Sequence, residues 1–267
     1  MSLACEKLTV GISDRLLVDE LDLEVGAGEF LCVLGPNGVG KTLSLHTIAG
    51  LRPAQGGGVR LHGDRLEDLD RPAIAQRLGL LLQSHDDAFP ITVLETALMG
   101  RHARLGFWQW ETAADMALAD AALTTLGLTE LRQRMSATLS GGERRRLALA
   151  TLLVQDPDVL LLDEPMNHLD PMHKLDVLRQ LRGLAAAGKT IVASMHDPLL
   201  AWRFADSVLM LHGDGNWESG PVAEMLTIDR LQNLYGTPFA EFTRDGQSVM
   251  LPVPLPDAAE TTAAVET

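Results

Sequence analysis

The octapeptide GPNGVGKT, residues 35–42, constrains this chain more than any other stretch. Immediately before it, residues 29–34 read EFLCVL, whose last five are apolar, the pattern of a strand buried on both faces. Immediately after it, Lys41 to Ala49 reads as a helix. A buried strand, a glycine-rich turn and a helix make one unit of a doubly wound α/β fold, and such folds gather their functional groups at the carboxyl ends of the strands.

The turn itself matches GxxxxGK followed by Ser or Thr, in the strand-to-helix setting that its mechanism requires. Gly35, Pro36, Asn37, Gly38, Val39 and Gly40 form the expected cradle, because glycines let backbone N–H groups wrap a phosphate. Lys41 is expected to reach the β- and γ-phosphates of a nucleoside triphosphate, and the Thr42 hydroxyl to ligate Mg²⁺.

Around this unit the pattern alternates. Short strands are expected before it at LTV (8–10), LLV (16–18) and LDLEV (21–25), separated by turn residues. The triplet Gly56, Gly57, Gly58 punctuates before a strand at VRLHG, and Arg77 to Leu82 reads as a buried strand ending at Gln83. From about Ser84 to Gln155 the pattern turns helical, with helices over Ala113 to Leu126 and over Glu143 to Leu153. Strands return at Val159 to Leu162, Thr190 to Met195 and Ser207 to Leu211, with a helix over Met172 to Ala187. The end, LPVPLPDAAETTAAVET, is Pro-rich, then acidic and small, and is expected to be a mobile tail from about residue 252. No internal repeat is present, which excludes two cassettes in one chain.

VLLLDE, residues 159–164, adds carboxylates. Its apolar strand carries Asp163 to the ligand crevice, where it is expected to support Mg²⁺; Glu164 is placed to polarise an attacking water as general base. In isolation such a pair also reads as a loop start with an Asp helix cap. His196 follows a strand that, if it neighbours 159–162, brings the imidazole to the γ-phosphate; Asp197-Pro198 then fixes the ring's direction. Gln83 ends another strand, and an amide there can reach Mg²⁺ or the attacking water.

LSGGERRR, residues 139–146, is a second anion-binding helix start, with Ser140 as cap and Gly141 and Gly142 allowing close backbone approach. It has no nearby lysine to complete a cradle of its own, and the first cradle already accounts for one triphosphate. The economical reading is that Ser140, Gly141 and Gly142 contact the nucleotide of a second copy packed head to tail. A plain helix cap is the competing reading.

The bulk properties narrow the setting. A formal net charge of −14 over 267 residues argues against general nucleic-acid binding, which needs clustered Lys and Arg. No apolar run approaches the ~20 residues that span a bilayer. MSLACEKLTVG lacks a basic segment followed by an apolar one, so no secretory signal is expected. Cys5 and Cys32 have no metal-ligand spacing and read as reduced, structural thiols of a cytoplasmic protein.

In one order, GPNGVGKT, Gln83, LSGGE, VLLLDE and His196, together with Asn167-His-Leu-Asp170, resemble the ATP-binding subunits of ABC transporters. They correspond to that family's Walker A motif, Q-loop, signature motif, Walker B motif, switch histidine and D-loop, and the resemblance spans roughly residues 3–240. It implies a P-loop NTPase (ABC ATPase) α/β core with a small antiparallel β subdomain and an inserted α-helical subdomain at about 84–155. A C-terminal extension follows at 241–267. It also implies ATP and Mg²⁺ as ligands and a nucleotide-sandwich dimer. Asp163 would support Mg²⁺, Glu164 would act as base and His196 would contact the γ-phosphate. Ser140 and Gly142 would act in trans, and Asp170 would pass between the two sites. Gln83 would link the nucleotide to a groove where a short helix of transmembrane permease subunits docks.

One departure stands out. The family usually stacks an aromatic ring on adenine shortly after the first strand, a place that falls near Ile12, and no aromatic residue precedes Phe30. Loose selectivity between ATP and GTP is therefore expected. Residues 87–95 and 99–102, the segment 164–170 and the short region after His196 resemble ATPases of the cobalamin, haem and ferric-siderophore importers. The stretch from Gly100 through Trp110 most resembles the cobalamin type. The resemblance thus implies a peripheral protein on the cytoplasmic face of the inner membrane, serving a permease and, indirectly, a periplasmic binding protein. The alternative is a soluble ABC-type ATPase serving cytosolic assembly, such as iron–sulfur cluster biogenesis. A DNA-repair ABC ATPase would need a long coiled-coil insertion, and no sustained heptads separate Gln83 from LSGGE.

Overall fold

The fold is taken from a computed structural model, which describes residues 1–83, 90–105, 108–244 and 247–254. The first two strands are long: β1 (Leu3–Ile12) and β2 (Arg15–Val25) pair antiparallel. The segments LLV and LDLEV, expected as separate strands, are therefore one. The break in apolar alternation at Asp19 and Glu20 is absorbed by register shifts between the strands, with Lys7 and Glu20 at positive φ, so the chain bulges and does not turn.

β3 (Phe30–Leu34) leads into α1 (Lys41–Ile48). β4 (Gly56–Leu61) and the short β5 (Asp64–Arg65) complete a four-stranded sheet of order β2-β1-β4-β5. The glycine triplet expected to precede a strand lies inside β4. Gly57 has φ of 69°, and a Cβ there would stand 2.0 Å from the Lys7 carbonyl oxygen of β1, so close approach to the neighbouring strand demands glycine.

α2 (Arg71–Arg77) precedes β6 (Leu78–Leu81). Among the described residues three α-helices then intervene before the sheet resumes: α3 (Val93–Leu98), α4 (Ala113–Thr125) and α5 (Gly141–Gln155). Each opens with a reciprocal capping box, Thr92 with Glu95, Thr112 with Asp115 and Ser140 with Glu143, which satisfies orphan N–H groups at its start. β7 (Val159–Leu162), α6 (Pro171–Ala186), β8 (Thr190–Ser194), α7 (Pro198–Phe204), β9 (Ser207–Leu211) and β10 (Trp217–Pro221) follow.

The central sheet has the order β10-β9-β3-β8-β7-β6, parallel throughout except for β10. Both faces are covered, which is why these strands read as unbroken apolar runs. Phe30, Cys32 and Leu34 of β3, with Leu160 and Leu162 of β7, pack into one core with α3, α4 and α5. The alternate residues Leu31, Val33, Val159 and Leu161 pack into a second core with α1 and the four-stranded sheet.

The chain continues through α8 (Val222–Met225), α9 (Ile228–Tyr235) and a hairpin of β11 (Phe239–Arg244) and β12 (Gln247–Pro252). The hairpin occupies the first part of the C-terminal extension that the sequence suggested from residue 241. Val253 and Pro254 are described, whereas the rest of the expected tail, residues 255–267, lies outside the described residues.

Candidate active site

The carboxyl ends of β3, β6, β7 and β8 meet at one edge of the sheet. Backbone bonds hold them in register: Asp163 N–H donates to the Leu81 carbonyl (2.9 Å) and Met195 N–H to the Val33 carbonyl (3.0 Å). That edge carries Gly35, Gln83, Asp163 and His196.

Between β3 and α1 the loop needs its glycines for space as well as conformation. Gly35 has φ of 149°, and a Cβ there would stand 2.5 Å from the Leu211 carbonyl oxygen of β9. Gly40, at φ of 107°, caps α1 without any side-chain acceptor, so the first N–H groups of the helix have no side-chain cap. Val39 is buried and anchors the loop, while Asn37 and Gly38 stand exposed at its rim and Thr42 is half-buried. The buried Lys41 ammonium donates to the carbonyls of Gly35 (2.7 Å) and Pro36 (3.0 Å), folding back over the cradle. Burial lowers its pKa, and the Glu164 and Asp163 carboxylates oppose that shift.

Asp163 is fully buried. Its Oδ1 accepts from the Ser194 hydroxyl at 2.7 Å, and its Oδ2 has no hydrogen-bond partner. A buried carboxylate oxygen left unpaired is costly, and a cation is the ligand that relieves it. Thr42, Asp163 and Gln83 are the side chains at this edge suited to Mg²⁺, a hard ion that takes oxygen donors and keeps several of its waters or phosphate oxygens. Among the described residues no cluster of His, Cys, Asp and Glu forms an all-protein metal cage.

Glu164 sits at φ of 49°, and its N–H donates to the same Ser194 hydroxyl (2.9 Å). Its carboxylate is the centre of the site. Oε2 accepts from Gln83 Nε2 (3.0 Å) and from Asn167 Nδ2, and Oε1 bonds to His196 Nε2. Gln83 and His196, expected from the sequence, therefore each bond directly to Glu164, one on either carboxylate oxygen. Ser194 and Asn167 were not singled out as site side chains. Ser194 had one signal, a hydroxyl following the apolar run Ile191–Ala193; Asn167 lay in a quoted motif without a role of its own.

The start of α5 stands apart from this cluster. Ser140 Oγ accepts from Glu143 N–H (3.3 Å), and Glu143 accepts from Ser140 N–H (2.7 Å). Ser140 and Gly141 are exposed, and among the described residues no hydrogen bond joins 140–142 to 35–42. Gly142 lies against the His168 backbone, where an added Cβ would stand 3.2 Å from the carbonyl oxygen. Asp170 caps α6, accepting from His173 N–H at 3.0 Å, which holds its carboxyl below the ordinary range. Ile12 is exposed at the end of β1. Residues 87–89 and 106–107, within the segments that resemble the cobalamin, haem and ferric-siderophore importers, lie outside the described residues, as do 84–86.

The sequence model of the ABC transporter family matches residues 18–167. The chain belongs to that family. An ABC ATPase binds and hydrolyses ATP, dimerises through its cassettes and works with permease subunits. The hemin import ATP-binding protein HmuV of Rhodopseudomonas palustris (strain BisA53) is 35% identical over 260 residues, 94% of either chain. Among solved structures, one described as a metal-chelate type ABC transporter in an inward-facing conformation superposes with TM-score 0.82 at 27% identity, covering 97% of this chain and 99% of the other. A dimeric bacterial ABC transporter cassette gives TM-score 0.73 at 25% identity, over 82% of this chain and 98% of that one. Like them, this ABC subunit has the mixed α/β cassette; among its described residues no helix is long and apolar enough to cross a membrane.

Proposed function

We propose that this ABC ATPase drives import of a metal chelate of the cobalamin, haem or ferric-siderophore kind through a partner permease. It would sit on the cytoplasmic face of a bacterial inner membrane, with a periplasmic binding protein delivering the cargo. The observation that carries the hydrolytic part is the convergence of Gln83, Asn167 and His196 on the Glu164 carboxylate. Likeness to a hemin import subunit and to a metal-chelate transporter supports the cargo class over cytosolic assembly.

In this reading the backbone N–H groups of the glycine-rich loop, Pro36 having none, and the Lys41 ammonium bind the ATP phosphates, and Lys41 exchanges its two carbonyl acceptors for phosphate oxygens. Thr42, Asp163 and Gln83 would hold Mg²⁺, which neutralises phosphate charge when bound. Glu164 takes the proton of the attacking water on its carboxylate, once that water replaces one of the present donors. His196 then turns toward the γ-phosphate, whose developing charge its N–H stabilises. Ser140, Gly141 and Gly142 offer an exposed helix start to the nucleotide of a second copy, with Asp170 between the sites.

The test uses tagged Glu164→Gln protein purified with ATP and Mg²⁺ from detergent-solubilised membranes of cells expressing its native neighbours. The amide keeps the shape but cannot accept the proton, so an ATP-bound dimer should accumulate and bring a polytopic permease with it. Recovery of cytosolic scaffold proteins alone would overturn the importer reading. A monomer at saturating ATP, with permease present, would overturn the head-to-tail dimer.

A further inference from the structure

Arg145 lies one turn into α5, on the helix whose start is formed by Ser140, Gly141 and Gly142. Its side chain is buried, and it points into the junction of the loops that build the hydrolytic cluster. Nε donates to the Pro165 carbonyl (3.3 Å), Nη1 to the Leu82 carbonyl, and Nη2 to the carbonyls of Asp163 and Glu164, the latter at 2.7 Å. No carboxylate pairs with it in an ion pair among the described residues; every acceptor is backbone. Burial brings its pKa down to about 10, against the pull of the Asp163 and Glu164 charges, so the guanidinium stays charged at neutral pH.

The acceptors are not arbitrary. Leu82 directly precedes Gln83, and Asp163 and Glu164 carry the two carboxylates. One planar cation thus fixes the backbone of three groups of the hydrolytic cluster. The same residue is rigidly part of the helix that faces away to a second copy. A helix transmits displacement along its axis, and a guanidinium fork holds several acceptors in fixed mutual geometry, which a lysine ammonium on a flexible stem does not.

We propose that Arg145 is a positioning residue linking the anion-binding start of α5 to the hydrolytic carboxylate of the same chain. Nucleotide held by Ser140, Gly141 and Gly142 across the dimer then sets the placement of Glu164 in the chain's own site. This rests on the head-to-tail dimer proposed above. It makes the two ATP sites energetically coupled through one side chain, and such coupling is reciprocal for binding.

The experiment compares full-length wild type, Arg145→Lys and Arg145→Met in steady-state ATP hydrolysis and equilibrium ATP binding. ATP-dependent dimerisation of each variant is measured in the Glu164→Gln background. A small misplacement of a reacting group costs about a hundredfold in rate, so Arg145→Met should lose roughly that in kcat while ATP affinity and dimerisation hold. Arg145→Lys should recover part of the rate, yet the linkage predicts a Hill coefficient for ATP above one in the wild type and a fall to one in this variant. Should Arg145→Met fail to fold, Arg145→Lys keeps the charge and the stem and carries the test alone. Wild-type rate and cooperativity in Arg145→Lys would overturn the linkage, as would equal losses of binding, dimerisation and rate. Failure of Glu164→Gln itself to dimerise would instead sink the dimer, and the linkage with it; an intact dimer with unaltered cooperativity sinks the linkage alone.

Discussion

Removing the Ser194 hydroxyl should destabilise the protein far more than the loss of one methylene-sized atom suggests. Ser194 is fully buried at the end of β8 and its Oγ serves two neighbours at once, donating to Asp163 Oδ1 (2.7 Å) and accepting from Glu164 N–H (2.9 Å). Ser194→Ala strips a donor from a buried carboxylate whose other oxygen already lacks one. A hydrogen bond to a charged group contributes about 1.5–3 kcal/mol, and a buried N–H left orphaned costs about 1–3 kcal/mol. Because the two groups relax together, the sum is about 3–5 kcal/mol, at the upper end for a single substitution. A hydroxyl-sized void is too small to admit a water that would replace both bonds. The assay is urea denaturation, with Thr190→Val as control. Thr190 lies at the other end of β8 and makes one neutral bond, to the Gly26 carbonyl (2.8 Å), worth about 1 kcal/mol. ATP hydrolysis should fall alongside, since Asp163 and Glu164 lose a shared anchor. A Ser194→Ala loss no greater than that of Thr190→Val would refute the bridge as the device that places the two carboxylates.

Two further expectations follow from local chemistry. The capping carboxylates Glu95, Asp115 and Glu143 are all held below their ordinary pKa, first by backbone N–H donors of Thr92, Thr112 and Ser140 and then by those residues' hydroxyls. Their stabilisation is therefore complete above the unfolded value of about 4 and is lost as pH falls through the depressed folded values. Hydrogen-exchange protection at the starts of α3, α4 and α5 should drop in that acid window before protection in β3, β7 and β8 does, and a simultaneous loss would count against it. Ile12→Tyr should restore a ring where the family stacks adenine, gaining about 0.5–1.5 kcal/mol for ATP, or about two- to tenfold in Kd. Fluorescent-nucleotide competition with ATP and GTP measures this, and an unchanged ATP affinity would show that Ile12 does not face the base.

The local units are legible in the order of residues alone. A glycine loop between a buried strand and a helix, the apolar runs of β3, β7 and β9, and the Ser140 cap of α5 follow from φ preferences, burial and side-chain capping within a few consecutive residues. Those constraints need no partner from elsewhere in the chain. The order of the motifs carried the family as well. Where local pattern conflicted with a neighbour, it misled: the break at Asp19 and Glu20 is a bulge inside β2, and the Gly56–Gly58 triplet is strand, because β1 lies alongside both. Which side chains meet depends on how the assembled sheet orders its strands. Gln83 and His196 reach Glu164 across 81 and 32 positions because β8 and β6 flank β7, and strand order is not written in periodicity. The same holds for the Ser194 bridge and for Arg145, whose charge in a helix reads as solvent-facing until the helix docks. A buried guanidinium without a carboxylate partner needs converging carbonyls, and here they come from loops that meet only once the sheet has assembled.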